Sequence, residues 1–171
     1  MDLRKKKTIA TLVYPIRNGK VLLAKKTKKI GIGLWNGWGG AKEKGETIRE
    51  AARREFEEES GCFAALEDFE YVGKVTFHNQ KADGRKFDVE VHIFLLLTWE
   101  GEPKSCREMI EPTMFPINAL PFSKMMTSDK DWLPVILSGQ LIEAEVWYVL
   151  DQNHITKPTK IHKVQKLGSV D

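Results

Sequence analysis

The residues whose types could best carry out chemistry lie at 53–61, where RREFEEESG holds four glutamates and two arginines in nine positions. Clustered carboxylates bind hard divalent cations through oxygen and accept protons, which is the equipment of a metal-dependent hydrolysis. A solvated charged helix is the alternative, because acidic helices are commonly exposed. The positions of the apolar neighbours discriminate between the two.

Helical periodicity places three of the carboxylates on the inward side of a helix. The apolar arc consists of Ile48, Ala51, Ala52 and Phe56. Glu55 and Glu59 fall within that arc and Glu58 at its edge. The solvent side consists of Arg49, Glu50, Arg53 and Glu57. The inward carboxylates repel one another close to the negative end of the helix dipole, so we expect a compensating cation, for which Mg²⁺ or Mn²⁺ is suited.

The elements that position this helix can be predicted from local patterns. Residues 8–17 and the segment KVLLAKK flank Asn18-Gly19 and predict a β-hairpin. A glycine-rich loop over 31–45 follows. Thr47 and Glu50 have capping-box spacing, and Gly61 stands where a left-handed C-cap would, so the helix is predicted over 47–60.

The second half of the chain predicts fewer regular elements. Strands are expected over 69–79 and 87–99, joined by a turn at KADGRK, and again at LIEAEVWYVL; a short helix is expected around DWLPVIL. Residues 100–121 are polar and contain prolines, which predicts a loop. The lysine-rich residues from 152 onward predict a mobile basic tail. Mixed strands with two helices favour an α+β or α/β sandwich.

Composition bounds the class of protein. With 171 residues, 42% of them hydrophobic, the chain fits one globular domain over 8–151, flanked by a basic extension over 1–7 and the tail over 152–171. The longest apolar run, 93–97, is too short to span a bilayer, and we expect no membrane contact. Two cysteines without zinc spacing predict a reducing compartment, the cytoplasm. The net charge of +3 is mild, so nucleic-acid binding is not favoured, and we expect a monomer.

A longer pattern extends outward from the glutamates. Gly40, Glu46 and Arg54 precede Glu55 with the spacing G-x5-E-x7-R-E-U-x-E-E-x-G-U, where U is a bulky aliphatic residue. All seven fixed positions match, and the sequence therefore resembles the Nudix hydrolase family. Phe56 and Cys62 replace the usual aliphatic residues at the two U positions, which are packing positions.

The resemblance implies a Nudix-type α/β/α sandwich with a mixed β-sheet and Mg²⁺-dependent cleavage of a nucleoside diphosphate linked to a further group. It implies that Glu46 and Arg54 support the loop and the helix. Pyrophosphate cleavage also needs a proton acceptor, and we expect the general base to be Glu55, or secondarily Glu59. The metal ligands that the resemblance implies are Glu55, Glu58 and Glu59 together with the backbone carbonyl of Gly39.

Segments outside the box indicate a substrate. GLWNGWGG, LPF and SDKDWLPVIL resemble the MutT-type enzymes that hydrolyse oxidised purine nucleoside triphosphates, including mammalian 8-oxo-dGTPase. By this resemblance Asn36 would read the base edge, Trp38 would line the base pocket, Lys26 would lie near the phosphates and Asp129 would hydrogen-bond the purine. The expected substrate is a small nucleotide such as 8-oxo-dGTP, and the function would be sanitation of the nucleotide pool.

The sequence departs from those enzymes at several positions. Where they carry a stacking tryptophan followed by paired aspartates, this chain has Met126, Thr127, Ser128 and Asp129. Methionine can still cover a base through its thioether. Ala41 replaces a frequent lysine. REMIEPTMF holds one extra residue, so either Glu108 or Glu111 could supply the additional carboxylate near the metals.

Alternatives remain for individual residues and for the function. Trp35 and Trp38 could be core anchors, Asn36 a turn residue, Lys26 an ordinary end-of-strand lysine, and Trp132 a packing residue. The same Nudix chemistry could act on a nucleotide sugar, a dinucleoside polyphosphate or a capped RNA end. A ligand-binding domain without catalysis is the third hypothesis, and the complete carboxylate set argues against it.

Overall fold

The computed structural model describes residues 6–149 and 154–171 and contains nine strands and two α-helices in those ranges. The strands are β1 Lys6–Arg17, β2 Lys20–Lys26, β3 Trp35–Asn36, β4 Phe69–Gln80, β5 Lys86–Leu96, β6 Met109–Pro116, β7 Leu141–Val149, β8 His154–Ile155 and β9 Lys160–Val164. The helices are α1 Ile48–Ser60 and α2 Asp129–Leu137. No helix in the described ranges is long and apolar enough to cross a membrane.

The sheet is mixed, as the sequence predicted. Strand β1 runs parallel to β5, β5 antiparallel to β4, and β4 parallel to β7. The predicted N-terminal hairpin is confirmed: β1 pairs antiparallel with β2 next to the turn, and Asn18 and Gly19 have φ values of 53° and 69°. Two successive left-handed residues are typical of the hairpin turn that matches strand twist.

The two helices pack on opposite faces of the sheet. Neighbouring residues of a strand point to opposite faces, so Val13 and Tyr14 of β1 mark the two sides. Val13 belongs to a core cluster with Phe56 of α1, whereas Tyr14 packs edge-on against Trp132 of α2. The arrangement is the predicted α/β/α sandwich.

The turns at both ends of α1 are also as predicted. Thr47 and Glu50 form the capping box, and Gly61 is left-handed with φ 74°.

The prediction of a loop over 100–121 is wrong for Met109–Pro116, where β6 pairs with β2. Two prolines within eight residues, Pro112 and Pro116, conceal the strand in the sequence. Proline is tolerated here because β6 pairs with β2 alone among the described strands. Glu111 has a φ of 55°, close to the register shift between Leu23 and Lys25, and marks an irregularity where β6 bends.

The prediction of a mobile tail is wrong for residues 154–171; residues 152 and 153 lie outside the described residues. Strands β8 and β9 pair with β7, and lysines along an outer strand are compatible with a sheet edge. Val170 is then buried in the α1-side core, and its carbonyl accepts a hydrogen bond from Arg49 N–H at 3.0 Å. Arg49, predicted on the solvent side, binds Asp171 at 2.7 Å and packs against Phe94.

This attachment predicts that Val170→Ala destabilises the whole domain. Removing two buried methyl groups should lower the free energy of unfolding by about 1–2 kcal/mol, because Val170 fills the core beside the helix that carries the glutamates. Thermal and urea unfolding measure the change. Gln165→Ala, an exposed residue of the same segment, is the control; equal stabilities of the two variants would show that the segment is not anchored.

Candidate active site

The glutamates of α1 open into a cavity of about 530 Å³. One end of the cavity is polar and contains carboxylates, the paired glycines and several lysines. The other end is largely apolar. The polar end includes Lys26, Gly39, Gly40, Arg54, Glu55, Glu58, Glu59 and Glu108, and the apolar end includes Phe77, Val89, Val91, Met126, Asp129 and Trp132. The cavity therefore has one end whose carboxylates could bind a cation and another end suited to a flat organic group.

The α1 carboxylates differ in their exposure. Glu59 is only 6% exposed, the side chain of Glu55 is 15% exposed and that of Glu58 is 61% exposed. Glu59 Oε1 accepts a hydrogen bond from the backbone N–H of Gly39 at 2.8 Å. The inward placement predicted from periodicity is confirmed, with Glu58 at the rim.

Two glycines allow the loop to lie directly against these carboxylates. A Cβ at Gly39 would stand 1.9 Å from the carbonyl oxygen of Thr11, and a Cβ at Gly40 would stand 2.7 Å from the carboxyl group of Glu55. Both distances are far below van der Waals contact. Gly39 must be glycine because the backbone of β1 lies against it, whereas a side chain at position 40 would displace the carboxyl group of Glu55.

Arg54 and Glu46 join the loop to the helix, as the resemblance implied. Arg54 Nη2 and Nε donate to the two carboxylate oxygens of Glu46 at 2.7 and 3.0 Å, and Nη2 also donates to the carbonyl of Ala41. Hydrogen bonds from Arg54 hold the pKa of Glu46 below its usual value. The same guanidinium contacts Glu55 at 2.9 Å and Glu58 at 3.4 Å, so it supplies positive charge to the cluster.

Burial shifts the proton affinities of the inward glutamates. It raises the pKa of Glu59 to about 8, and the nearby charges of Glu55 and Glu108 add to the shift. Burial also raises the pKa of Glu55, against the opposing effect of Arg54. Carboxyl groups with raised pKa values in a cavity are candidates for proton transfer.

Of the two acidic residues that the sequence left open, Glu108 lies at the cavity and Glu111 does not. Glu108 is close enough to Glu55 and Glu59 to raise their pKa values. Glu111 is 59% exposed and forms an ion pair with Lys25 at 2.7 Å.

The donor set fits a hard divalent cation in its chemistry. The candidate ligands are four of the carboxylates that line the cavity: Glu55, Glu58, Glu59 and Glu108. As they stand, no three His, Cys, Asp or Glu side chains in residues 6–149 and 154–171 converge closely enough to enclose an ion. Arg54 holds two of the four, so cation binding would require part of that ion-pair network to open.

Asp129 dominates the polar chemistry of the apolar end. It is 3% exposed, and its Oδ2 has no hydrogen-bond partner. Burial raises its pKa to about 8, although a backbone hydrogen bond at Met126 opposes the shift. Asp129 is therefore mostly protonated at neutral pH and can donate as well as accept a hydrogen bond. Met126 and Trp132 line the same end.

The remaining predicted substrate residues have different outcomes. Asn36 lines the cavity and also serves the local turn, because its Oδ1 accepts from Gly37 N–H at 2.9 Å. Lys26 lines the cavity, and burial lowers its pKa. The prediction for Trp38 is wrong: it is fully buried beside Phe56, and its indole N–H donates to the Leu22 carbonyl, so it anchors the core.

Sequence analysis missed several residues that shape the apolar end. For Trp132 packing was favoured over binding, yet this residue also lines the cavity. Ser128, at the position of the missing aspartate, is buried and accepts a hydrogen bond from Tyr148 Oη at 2.8 Å. Phe77 and Val91 come from β4 and β5, and only their alternation with polar residues could have indicated an inward face.

The family follows from comparison with known proteins. The NUDIX domain model matches residues 6–136. The chain belongs to the Nudix family of hydrolases. Two relatives are named oxidized purine nucleoside triphosphate hydrolase. The one from Danio rerio is 40% identical over 129 residues, covering 75% of this chain and 79% of that protein; the one from Mus musculus is 35% identical over 127 residues, covering 74% and 78%.

Solved structures agree with the Nudix fold. A MutT protein from Bacillus halodurans superposes with a TM-score of 0.74 at 22% identity, covering 90% of this chain and 97% of that one. A MutT NUDIX hydrolase from Burkholderia pseudomallei has a TM-score of 0.61 at 24% identity, covering 68% and 88%. At this level of identity the likeness establishes the fold.

The burial of Asp129 predicts a pH-dependent cost to stability. Its folded pKa is raised, so its stabilising contribution is complete below the unfolded pKa and is lost as the pH rises through about 8. Asp129→Asn removes this titration. The free energy of unfolding of the variant relative to wild type should therefore increase between pH 5 and pH 8, by up to about 1.4 kcal/mol per pH unit.

Urea unfolding across that pH range measures the effect. Asp131→Asn, two residues along the same helix, is the control variant. A difference between Asp129→Asn and wild type that does not change with pH would contradict the assignment.

Proposed function

We propose that this Nudix hydrolase cleaves oxidised purine nucleoside triphosphates, such as 8-oxo-dGTP, to the nucleoside monophosphate and pyrophosphate. The observation that carries the proposal is the pairing of two features in one cavity. Carboxylates occupy one end, and Asp129, whose buried Oδ2 has no hydrogen-bond partner, lines the apolar other end. The names of the relatives from Danio rerio and Mus musculus support the same substrate class.

The apolar end fits a purine. A base presents donors and acceptors along one edge and flat faces above and below, which suits an amide, a carboxyl group and apolar cover. Asn36 and protonated Asp129 supply the polar contacts, and Met126 and Trp132 supply the cover. An oxidised purine carries an additional oxygen or a changed ring N–H, and a carboxyl group that both donates and accepts can recognise that change.

The polar end fits the phosphates. Nudix hydrolases generally use a divalent metal. Mg²⁺, or Mn²⁺, held by Glu55, Glu58, Glu59, Glu108 and the Gly39 carbonyl would neutralise phosphate charge and acidify water. Glu55, held in place by Arg54, is the proposed proton acceptor, with Glu59 as the second candidate. Water attacks phosphorus and gives up its proton to the carboxylate, while the bond from phosphorus to the leaving bridging oxygen breaks.

One observation favours a second candidate substrate. Met126 stands where related enzymes carry a stacking tryptophan, and Ser128 stands where they carry an aspartate. A thioether constrains a base less than an indole does. A Nudix substrate with a different group on its diphosphate, such as a nucleotide sugar, a dinucleoside polyphosphate or capped RNA, is therefore the alternative. We also propose, as the sequence predicted, that the protein acts as a monomer in the cytoplasm.

The substrate assignment predicts a preference of at least a hundredfold in kcat/KM for 8-oxo-dGTP over dGTP, equivalent to about 2.7 kcal/mol. The assay uses Mg²⁺ and detects pyrophosphate and phosphate separately, with 2-hydroxy-dATP, dATP, ADP-ribose and a dinucleoside tetraphosphate as further substrates. A flat profile, or a preference for ADP-ribose, would refute the substrate assignment.

Glu58→Gln should lower turnover at least a hundredfold, because the substitution removes a charged metal ligand. Glu57→Gln serves as the neighbouring control.

A further inference from the structure

Residues 27–33, here named the strap, lie in the connection from β2 to β3, and three of them line the cavity: Lys28, Lys29 and Ile30. At the carboxylate end, Thr27 N–H donates to the carbonyl of Glu108 at 3.0 Å, and Thr27 Oγ1 donates to the carbonyl of Arg107 at 2.5 Å. At the apolar end, Gly31 lies against Met126: a Cβ at Gly31 would stand 3.0 Å from the Met126 Sδ. The strap is thus fixed to both ends of the cavity.

Two lysines of the strap, Lys28 and Lys29, line the cavity between these attachments. Both residues are exposed, which leaves their ammonium groups able to reach a ligand. Lys29 is close enough to the partly buried Lys26 for its charge to lower the pKa of that residue. Like charges that converge on one cavity repel each other, and a bound anion would relieve this repulsion.

The backbone of Lys29 is strained. Its φ of 62° is in the left-handed region, which costs a residue with a Cβ on the order of 1 kcal/mol. Asn18, also left-handed, is a residue type that tolerates this conformation, and it closes the hairpin turn. Lysine does not share this tolerance, and glycine would adopt the same conformation at position 29 without cost. A lysine at this position is therefore better explained by its side chain than by the loop.

We propose that Lys28 and Lys29 recognise the terminal phosphate of the nucleotide and make this site selective for triphosphates over diphosphates. The proposal rests on the proposed function, because it places the phosphate chain along the carboxylate end. The strap begins at the carboxylate end, where Thr27 contacts Glu108, so the third phosphate of a triphosphate would lie within reach of its lysines. Ammonium groups there would also stabilise the charge that develops on the departing pyrophosphate.

The test compares Lys29→Gly with wild type. Glycine relieves the left-handed strain while removing the charge, so the variant should keep its unfolding temperature or raise it. Its kcat/KM for the best nucleoside triphosphate should fall about tenfold, whereas its kcat/KM for the corresponding diphosphate should change less than twofold. Lys28→Ala should give a loss in the same direction. Lys20→Ala, at the other end of β2 and outside this cavity, is the control and should match wild type.

A second measurement separates this proposal from the substrate assignment. Calorimetry measures the binding of inorganic tripolyphosphate and pyrophosphate to wild type and to Lys29→Gly. Wild type should bind tripolyphosphate more tightly, and the variant should lose about tenfold for tripolyphosphate alone. If wild type fails to prefer oxidised purines but shows this difference, only the substrate assignment falls. Equal tripolyphosphate binding by wild type and Lys29→Gly, or equal losses for both anions, would overturn the role of the strap.

Discussion

The structure depends on packing acidic side chains of α1 into the interior, directly against the backbone of two glycines. Glu59 is buried and accepts a hydrogen bond from Gly39 N–H, and the carboxyl group of Glu55 occupies the space that a Cβ at Gly40 would need. This contact fixes the distance between α1 and β1, because the glycine segment pairs with β1 on its other side. Arg54 then supplies the positive charge that the arrangement lacks, and Glu46 holds Arg54 in place.

The two ends of the cavity use the same physical effect for different chemistry. Burial raises the pKa of Glu59 and of Asp129 to about 8. Near Glu59 there are other carboxylates, so its proton can be displaced by a cation that the cluster attracts. Near Asp129 the surroundings are largely apolar, and protonation is maintained, which makes it a hydrogen-bond donor. Under the proposed function, the spatial separation of these groups would let one cavity bind the phosphates and the base independently.

Much of this organisation could be predicted from the sequence, because it is encoded locally. The capping box of α1, the turn at Asn18-Gly19 and the inward arc of glutamates depend on residues within a few positions of one another. The assignment of Trp38 failed because a tryptophan in a glycine-rich loop can point either way, and only the tertiary contact with Phe56 decides. The strand β6 and the attachment of Val170 were missed because both depend on partners distant in the chain, which compensate for prolines and lysines that locally disfavour a strand.

The most direct measurement of the central claim, that the inward carboxylates are compensated by a divalent cation, is the unfolding temperature of wild type and Glu59→Gln with and without Mg²⁺. Glutamine keeps the shape and the hydrogen bond to Gly39 but removes the charge. Saturating Mg²⁺ should stabilise wild type by about 2–3 kcal/mol at a hundredfold excess over its dissociation constant, more at pH 8.5 than at pH 6, because binding displaces a proton. Glu59→Gln should show a much smaller gain with little pH dependence. Equal stabilisation of both proteins, or none in wild type, would contradict the account.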